Sequence, residues 1–231
     1  MSSLFFQDSL LKCDMEIIWH GHSFFEIKAK ENKNQVRIAI DPFSEEIGLK
    51  PPKIEADILL ISHQHYDHNN RSIIVGDYFL IEDPGEYEIK GVFVKAIKSF
   101  HDESEGKERG ENLIFLIEAE DLKVCHMGDF GQKELTEKQM EEIGEVDILM
   151  IPVGGVYTIG PKEALKILEQ LEPKITIPMH YALLKLKIKL DPVDKFLKVL
   201  GIKSLEPQKK LSLKKEELSP EEAKIILLEP K

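Results

Sequence analysis

Short hydrophobic runs dominate the first half of the chain, and polar or glycine-containing segments separate them. Runs of about four to eight residues rich in Ile, Val and Phe are typical of β-strands. Lys90-Gly91 indicates a hairpin turn between the runs at 87–89 and 92–97. The runs at 113–118 and 124–126 are expected to pair antiparallel. The pattern predicts strands over residues 15–19, 24–28, 36–40, 58–61, 78–82, 87–89, 92–97, 113–118 and 124–126.

The second half alternates strands with helices. Thr136 and Gln139 have the spacing of a capping box, which predicts a helix that ends near Gly144. Pro161 suits the first position of a second helix, and residues 193–200 are amphipathic. Strands are predicted over 146–152, 174–178 and 224–228. Strands followed by strand–helix alternation predict an α/β protein whose helices cover the outer faces of its sheets.

Composition places the chain among soluble globular proteins. It has 231 residues, of which 42% are hydrophobic and 32% charged. We interpret residues 1–14 as an N-terminal extension and residues 15–231 as a single domain, because no linker-like stretch divides them. Two cysteines, a poor signal peptide and the lack of any apolar run of roughly 18 residues favour a cytoplasmic protein without a membrane partner.

Charge narrows the range of partners. The chain carries 31 Lys and Arg against 42 Asp and Glu, a formal net charge of −11, which argues against nucleic acid. Residues 185–215 are instead positively charged, with ten lysines against three acidic residues. This region is either a solvated lysine face or a basic rim that attracts an anionic small-molecule substrate. Within it, the alternating stretch 184–190 is either an edge strand or a homo-oligomer interface.

The chemistry is concentrated directly after the strand at 58–61. His63, His65, Asp67 and His68 fall within six residues there. Imidazole nitrogens and carboxylate oxygens are ordinary ligands of zinc and similar ions. His63 and His65 can reach one ion, and after a turn of the chain Asp67 and His68 can face a second.

Four residues cannot complete two coordination shells, so ligands from distant parts of the chain are required. His101, Asp129 and His180 each follow a predicted strand, where functional side chains commonly occur. A single histidine at a strand end is usually structural. Three such residues beside the histidine cluster favour a metal site instead.

At this point a resemblance covers nearly the whole chain from Met15. The sequence resembles the metallo-β-lactamase superfamily, and within it the small family that includes the L-ascorbate-6-phosphate lactonases. The segments that carry the resemblance are Gly21-His22-Ser23-Phe24, Ile40-Asp41-Pro42-Phe43, residues 62–69, Pro84-Gly85-Glu86-Tyr87, Phe100-His101-Asp102, His126-Met127-Gly128-Asp129, residues 152–158 and Pro178-Met179-His180-Tyr181.

The resemblance implies an αβ/βα sandwich of four layers, with two facing mixed sheets inside and helices outside. It implies two divalent metal ions, zinc by default with manganese or iron as alternatives. Carried over by position, one ion is held by His63, His65 and His101, the other by Asp67, His68 and His180, and Asp129 bridges them. The implied activity is hydrolysis of a small, anionic ester, lactone or phosphodiester by a hydroxide held between the metals.

Further roles are assigned around the implied metals. Asp67, Asp129 and His22 are the expected catalytic residues. Asp41 either orients a ligand imidazole or only initiates an Asp-Pro turn. Arg109 is expected to contact an anionic group of the substrate, the alternative being a surface arginine, and Tyr181 is a second candidate for substrate binding.

Three other functions remain open. Flavodiiron oxidoreductases resemble this scaffold but carry Glu where this chain has His65. An RNA or DNA phosphodiesterase such as ribonuclease Z is disfavoured by the net charge of −11. A non-enzymatic metal-binding protein would keep the ligands but turn over no ester.

Overall fold

The computed structural model describes residues 15–31, 34–219 and 222–231, so the expected extension at 1–14 lies outside it. Its strands are β1 (Met15–Gly21), β2 (Phe24–Glu31), β3 (Asn34–Ile40), β4 (Ile54–Glu55), β5 (Ile58–Leu60), β6 (Ile74–Val75), β7 (Phe79–Ile81), β8 (Gly85–Ile89), β9 (Val92–Phe100), β10 (Glu111–Ala119), β11 (Leu122–His126), β12 (Ile148–Pro152), β13 (Ile175–Met179), β14 (Leu211–Leu213) and β15 (Lys224–Ile225). Its α-helices are α1 (Glu137–Ile143), α2 (Pro161–Leu171) and α3 (Asp194–Val199). No helix in these ranges is long and apolar enough to cross a membrane.

Two large mixed sheets organise the strands. The first has the order β14-β1-β2-β3-β5-β7, and the second has the order β15-β13-β12-β11-β10-β9-β8. In the second sheet, the short turn between β10 and β11 joins an antiparallel pair. The connection that contains α2 joins the parallel pair β12 and β13. A small third sheet pairs β4 with β6.

The side chains of β5 show how the first sheet is buried on both faces. Ile58 and Leu60 belong to the large hydrophobic cluster, which also contains Phe115 of the second sheet. Leu59, and Ile61 just beyond the strand, point the other way into a smaller cluster. Burial on both faces explains why this run is continuously apolar rather than alternating. The two facing sheets share the large cluster, which confirms the predicted sandwich.

Local sequence signals are confirmed at several boundaries. Ile89 pairs with Val92 across the predicted hairpin turn. Thr136 Oγ1 accepts a hydrogen bond from the Gln139 N–H, and the Gln139 side chain accepts one from the Thr136 N–H, which completes the capping box of α1. Pro161 occupies the first turn of α2.

One expectation about the lysine-rich region is corrected. Residues 184–190 lie in no strand, so the edge-strand interpretation was wrong. The strand of this region is β14, which forms one edge of the first sheet and pairs with β1, where Met15 lies opposite Leu213. Three residues among lysines give no recognisable pattern, because β14 owes its structure to pairing with a distant strand.

Asp147 is a buried residue that directly precedes β12. It accepts hydrogen bonds from Lys174 Nζ at 2.7 Å, Lys215 Nζ at 2.6 Å and the Lys123 backbone N–H at 2.9 Å. Burial opposes ionisation of Asp147, but these donors lower its pKa below the ordinary value. The carboxylate therefore connects β11, the start of β13 and the C-terminal region.

We expect Asp147→Asn to lower the free energy of unfolding by about 2 kcal/mol at neutral pH. Because the folded-state pKa is depressed, this contribution is present above the pKa of the unfolded chain and is lost as pH falls through the folded value. Urea unfolding across pH measures it. Glu145→Gln, which changes an exposed carboxylate nearby, is the control, and an equal loss in both variants would contradict the prediction.

Candidate metal centre

All seven predicted metal ligands lie where strands of the two sheets end. His63, His65, Asp67 and His68 occupy the loop after β5. The others follow strands of the second sheet: His101 follows β9, Asp129 lies beyond β11, and His180 follows β13. Two facing sheets bring these strand ends together, so residues up to 117 positions apart in sequence meet in one place.

The donor atoms form overlapping groups, within each of which they lie no more than 4.8 Å apart. The first group, which we call donor group one, contains His63, His65 and His101. Donor group two contains His22, Asp67, His68 and His180. A third set joins His63 and His68 to Asp129. The grouping matches the two ligand sets expected from the sequence, with His22 as an additional member of the second.

Asp129 lies between the two donor groups. Its Oδ2 is 3.2 Å from Nε2 of His101 in group one. The same oxygen is 3.1 Å from His180 Nε2 and 3.2 Å from His68 Nε2, both in group two. Burial opposes ionisation of this carboxyl group, but His180 and His68 hold its pKa well below the ordinary value. One ionised carboxylate therefore faces both groups.

Six buried atoms of the donor groups and of Asp129 have no hydrogen-bond partner among the described residues. They are Nδ1 of His22, His101 and His180, Nε2 of His63 and His68, and Oδ1 of Asp129. A buried polar atom left unpaired costs about 1–3 kcal/mol. Nitrogen and carboxylate donors that converge without protein partners are what a divalent cation binds, so the side chains present fit metal ions.

Asp41 and Ser62 hold two of the imidazoles. The Asp41 carboxylate accepts hydrogen bonds from the Ser62 N–H at 2.7 Å and from its hydroxyl at 2.6 Å. It also lies 3.1 Å from His68 Nδ1, so His68 Nε2 turns toward Asp129. Ser62 Oγ is 2.9 Å from His63 Nδ1. The interpretation of Asp41 as an orienting residue agrees with this placement, whereas the sequence alone assigned no role to Ser62.

Asn112 holds Asp129 from the neighbouring strand β10. Its Oδ1 accepts the Asp129 backbone N–H at 2.8 Å, and its Nδ2 donates to the Met127 carbonyl at 2.9 Å. A Cβ at Gly128 would lie 2.3 Å from Asn112 Oδ1, and its φ of +55° also favours glycine. No local pattern indicates Asn112, because its contact with Asp129 depends on strand pairing.

His22 links the first sheet to donor group two. Its Nε2 lies 3.1 Å from Asp67 Oδ2. Burial and His180 lower the pKa of His22 to about 4, so its ring is neutral near pH 7. The carbonyl of His22 accepts hydrogen bonds from Trp19 Nε1 and from the His180 N–H.

Three residues at the centre have left-handed backbone conformations. The φ angles are 54° for His22, 51° for Asp41 and 51° for His180. Such conformations cost a non-glycine residue about 1–3 kcal/mol and persist where the surrounding structure imposes them. The hydrogen bonds of His22 and Asp41 supply that constraint.

A cavity of about 500 Å³ opens above the donor groups. Arg109 lies in its lining, with the guanidinium carbon 5.8 Å from the centre of the Tyr157 ring. Tyr181, expected to bind substrate, does not line this cavity as the described residues form it. Its ring packs on Trp19 with centroids 5.2 Å apart, and burial raises the pKa of its hydroxyl. The structure therefore separates Tyr181 from the other predicted site residues.

The loop that carries Arg109 is organised by Asp102. This carboxylate accepts four backbone N–H groups, those of Ser104, Gly106, Glu108 and Arg109, at 2.7–3.0 Å. Burial opposes ionisation, but the four donors lower the pKa of Asp102. The sequence placed Asp102 in a segment that carries the resemblance but assigned it no role of its own.

Comparison with known proteins agrees with the geometry. The sequence model of the family described as Beta-lactamase superfamily domain matches residues 16–180, so the chain belongs to that superfamily. A UPF0173 metal-dependent hydrolase from Thermococcus onnurineus is 33% identical over 211 residues, which cover 80% of this chain and 91% of that protein. The chain is accordingly a metal-dependent hydrolase of the metallo-β-lactamase superfamily.

Solved structures extend the comparison. A candidate Zn-dependent hydrolase of this superfamily from Thermotoga maritima is 39% identical with a TM-score of 0.74, and the match covers 92% of this chain and 98% of that one. A diiron beta-hydroxylase from Streptomyces venezuelae is 15% identical with a TM-score of 0.60, and the match covers 87% of this chain and 54% of that one. The second likeness concerns the fold alone.

Metal binding should release a proton near neutral pH. Burial opposes the charge of His68, but Asp129 and Asp67 raise its pKa well above the ordinary value, so the metal-free ring is protonated. His68 Nε2 must lose its proton to bind a cation, and about one proton should leave this residue. Calorimetry with zinc in buffers of different ionisation enthalpy measures the number. The release should decline as pH rises through the pKa of His68, and a count of zero near neutrality would contradict the prediction.

Asp102→Asn should loosen the Arg109 loop without removing metal. An amide nitrogen replaces one acceptor oxygen, so two of the four hydrogen bonds are lost. Hydrogen exchange at residues 103–110 should accelerate by about tenfold or more. Mass spectrometry measures the exchange, with Glu103→Gln as the control because that side chain is exposed and pairs with Lys133. Unchanged exchange in Asp102→Asn would show that the carboxylate does not organise the loop.

Proposed function

We propose that the chain is a binuclear metallohydrolase that acts on a small anionic ester, lactone or phosphodiester. The observation that carries the proposal is the position of Asp129 Oδ2, which lies 3.2 Å from His101 in donor group one and 3.1 Å from His180 in donor group two. A single carboxylate that faces two groups of nitrogen donors is suited to a pair of cations rather than to one.

The donor chemistry favours zinc, with manganese or iron as alternatives. Imidazole nitrogen and carboxylate oxygen are common ligands of catalytic zinc. The donor groups formed by the described residues contain no cysteine. The thiol of Cys125 is buried, and burial raises its pKa to about 12. When bound, such ions lower the pKa of water and polarise the oxygen of the group that is attacked.

The side chains of this protein hold and orient the reacting groups. Asp129 keeps its charge because its pKa lies far below neutrality, and its unpaired Oδ1 can accept a hydrogen bond from the attacking water. Asp67 is fixed by His22, whose Nε2 lies 3.1 Å from its Oδ2. Neutral His22 can donate that hydrogen bond without adding a positive charge beside the metal ligands. This arrangement supports roles for all three predicted catalytic residues.

The cavity above the donors supports a small anionic substrate. Its volume of about 500 Å³ is within the range of small-molecule sites. Arg109 lies in the lining, and its planar guanidinium suits a carboxylate or a phosphate.

The first test is metal content by mass spectrometry on protein purified without chelators or added metal. We expect about two zinc or manganese ions per chain, and about one in His65→Ala, because that substitution removes a donor from group one only. His20→Gln, which changes a buried histidine outside both donor groups, should retain two. One ion or none in the unaltered protein, even after reconstitution, would contradict the binuclear centre.

The second part of the test is a screen of lactones, carboxylic esters and phosphodiesters with the metal-loaded protein. Hydrolysis of any of these that is lost in His65→Ala would support the proposal. Tightly held iron with redox activity would favour an oxidoreductase, and cleavage of RNA alone would favour a nucleic-acid phosphodiesterase. Two bound metals without any turnover would favour a non-enzymatic metal-binding protein.

A further inference from the structure

The alternating stretch 184–190 forms part of the cavity wall rather than a strand. Leu186 and Ile188 pack against the smaller hydrophobic cluster beside the first sheet. The Lys187 backbone N–H donates to the Ile47 carbonyl at 2.7 Å. The apolar positions and the backbone thus anchor the segment to the body of the protein.

Two lysines of the same segment belong to the cavity lining. Lys187 and Lys189 line it together with Ile188, above the donor groups. Neither ammonium group forms an ion pair within the described ranges, although acidic residues outnumber basic ones in the chain by 42 to 31. Two cations placed at a cavity without carboxylate partners are available to a ligand.

The charged residues in the cavity lining fall into two sets. Of its carboxylates, Asp67 belongs to donor group two and Asp129 lies between the two donor groups. The other formal charges in its lining are the cations Arg109, Lys187 and Lys189. An anion in this cavity therefore meets positive charge from side chains that are not metal ligands.

We propose that Lys187 and Lys189 bind a second anionic group of the substrate, a carboxylate or a phosphate remote from the bond that is broken. The proposal rests on the proposed function, which assigns the scissile group to the metal donors. Ammonium groups on flexible stems suit both kinds of anion. Tyr66 and Tyr157 lie in the same lining and are about half exposed, so a flat body between the two ends of the substrate would find apolar contact.

A small molecule fits these observations better than a nucleic acid. Proteins that bind single strands use a long basic groove that follows the backbone over several nucleotides. Here the two lysines face a cavity of about 500 Å³ in a chain with a net charge of −11. The substrate class is therefore a small molecule with two separated functional ends, one hydrolysable and one anionic.

The test compares three probes on the zinc-loaded protein by calorimetry. Benzoate has one anionic group, terephthalate adds a second carboxylate across a flat ring, and para-carboxyphenyl phosphate adds a phosphate instead. We expect at least one of the two doubly functional probes to bind about tenfold more tightly than benzoate.

The variant Lys187→Gln/Lys189→Gln should abolish this preference, while the Kd for benzoate changes less than about twofold. Lys185→Gln is a control for charge, because it removes one positive charge from the same segment at an exposed residue outside the cavity lining. Circular dichroism should show that all variants remain folded.

An unchanged preference in the double variant would overturn the proposal, as would failure of both doubly functional probes to bind more tightly than benzoate. Binding of a single-stranded RNA more tightly than terephthalate, lost in the same double variant, would overturn the small-molecule class. Zinc content is measured on the same samples. Absent zinc contradicts the binuclear centre, whereas the probe comparison concerns the lysines, so the two failures are distinguishable.

Discussion

The buried charge of Asp129 is the constraint on which the centre depends. An ionised carboxylate that is 2% exposed persists only where positive charge or hydrogen-bond donors compensate for the loss of water. Four imidazole rings from both sheets surround it, and the backbone N–H of Asp129 is held by Asn112. The sheets must therefore meet in one relative position for this group to be stable at all.

This requirement explains why the surrounding backbone is strained rather than ideal. His22, Asp41 and His180 all adopt left-handed conformations next to the donors. A large core shared by the two sheets supplies the stability that such conformations and unpaired donor atoms remove. The backbone next to the donors therefore adopts unfavourable φ angles because these angles place the donor side chains.

Much of this was readable from the sequence, because the informative signals were local. The capping box at Thr136, the hairpin at Lys90-Gly91 and the histidine cluster after 58–61 each occupy a few consecutive residues. Ser62 and Asn112 were assigned no role, because their importance comes from contacts made across strands. Tyr181 shows the converse limit: it adjoins His180 in sequence, yet the left-handed turn at His180 directs its ring toward Trp19.

The segment at 184–190 has the alternating pattern of a strand without forming one. Leu186 and Ile188 are half-buried and Lys187 and Lys189 are exposed, although the segment pairs with no strand. Leu186 and Ile188 pack against the smaller hydrophobic cluster, while Lys187 and Lys189, together with Ile188, line the cavity. Neither lysine belongs to a hydrophobic cluster, so substitutions of these two residues should leave the fold and the metal centre intact. Related chains could therefore diverge in substrate preference while an identical metal centre and fold are retained.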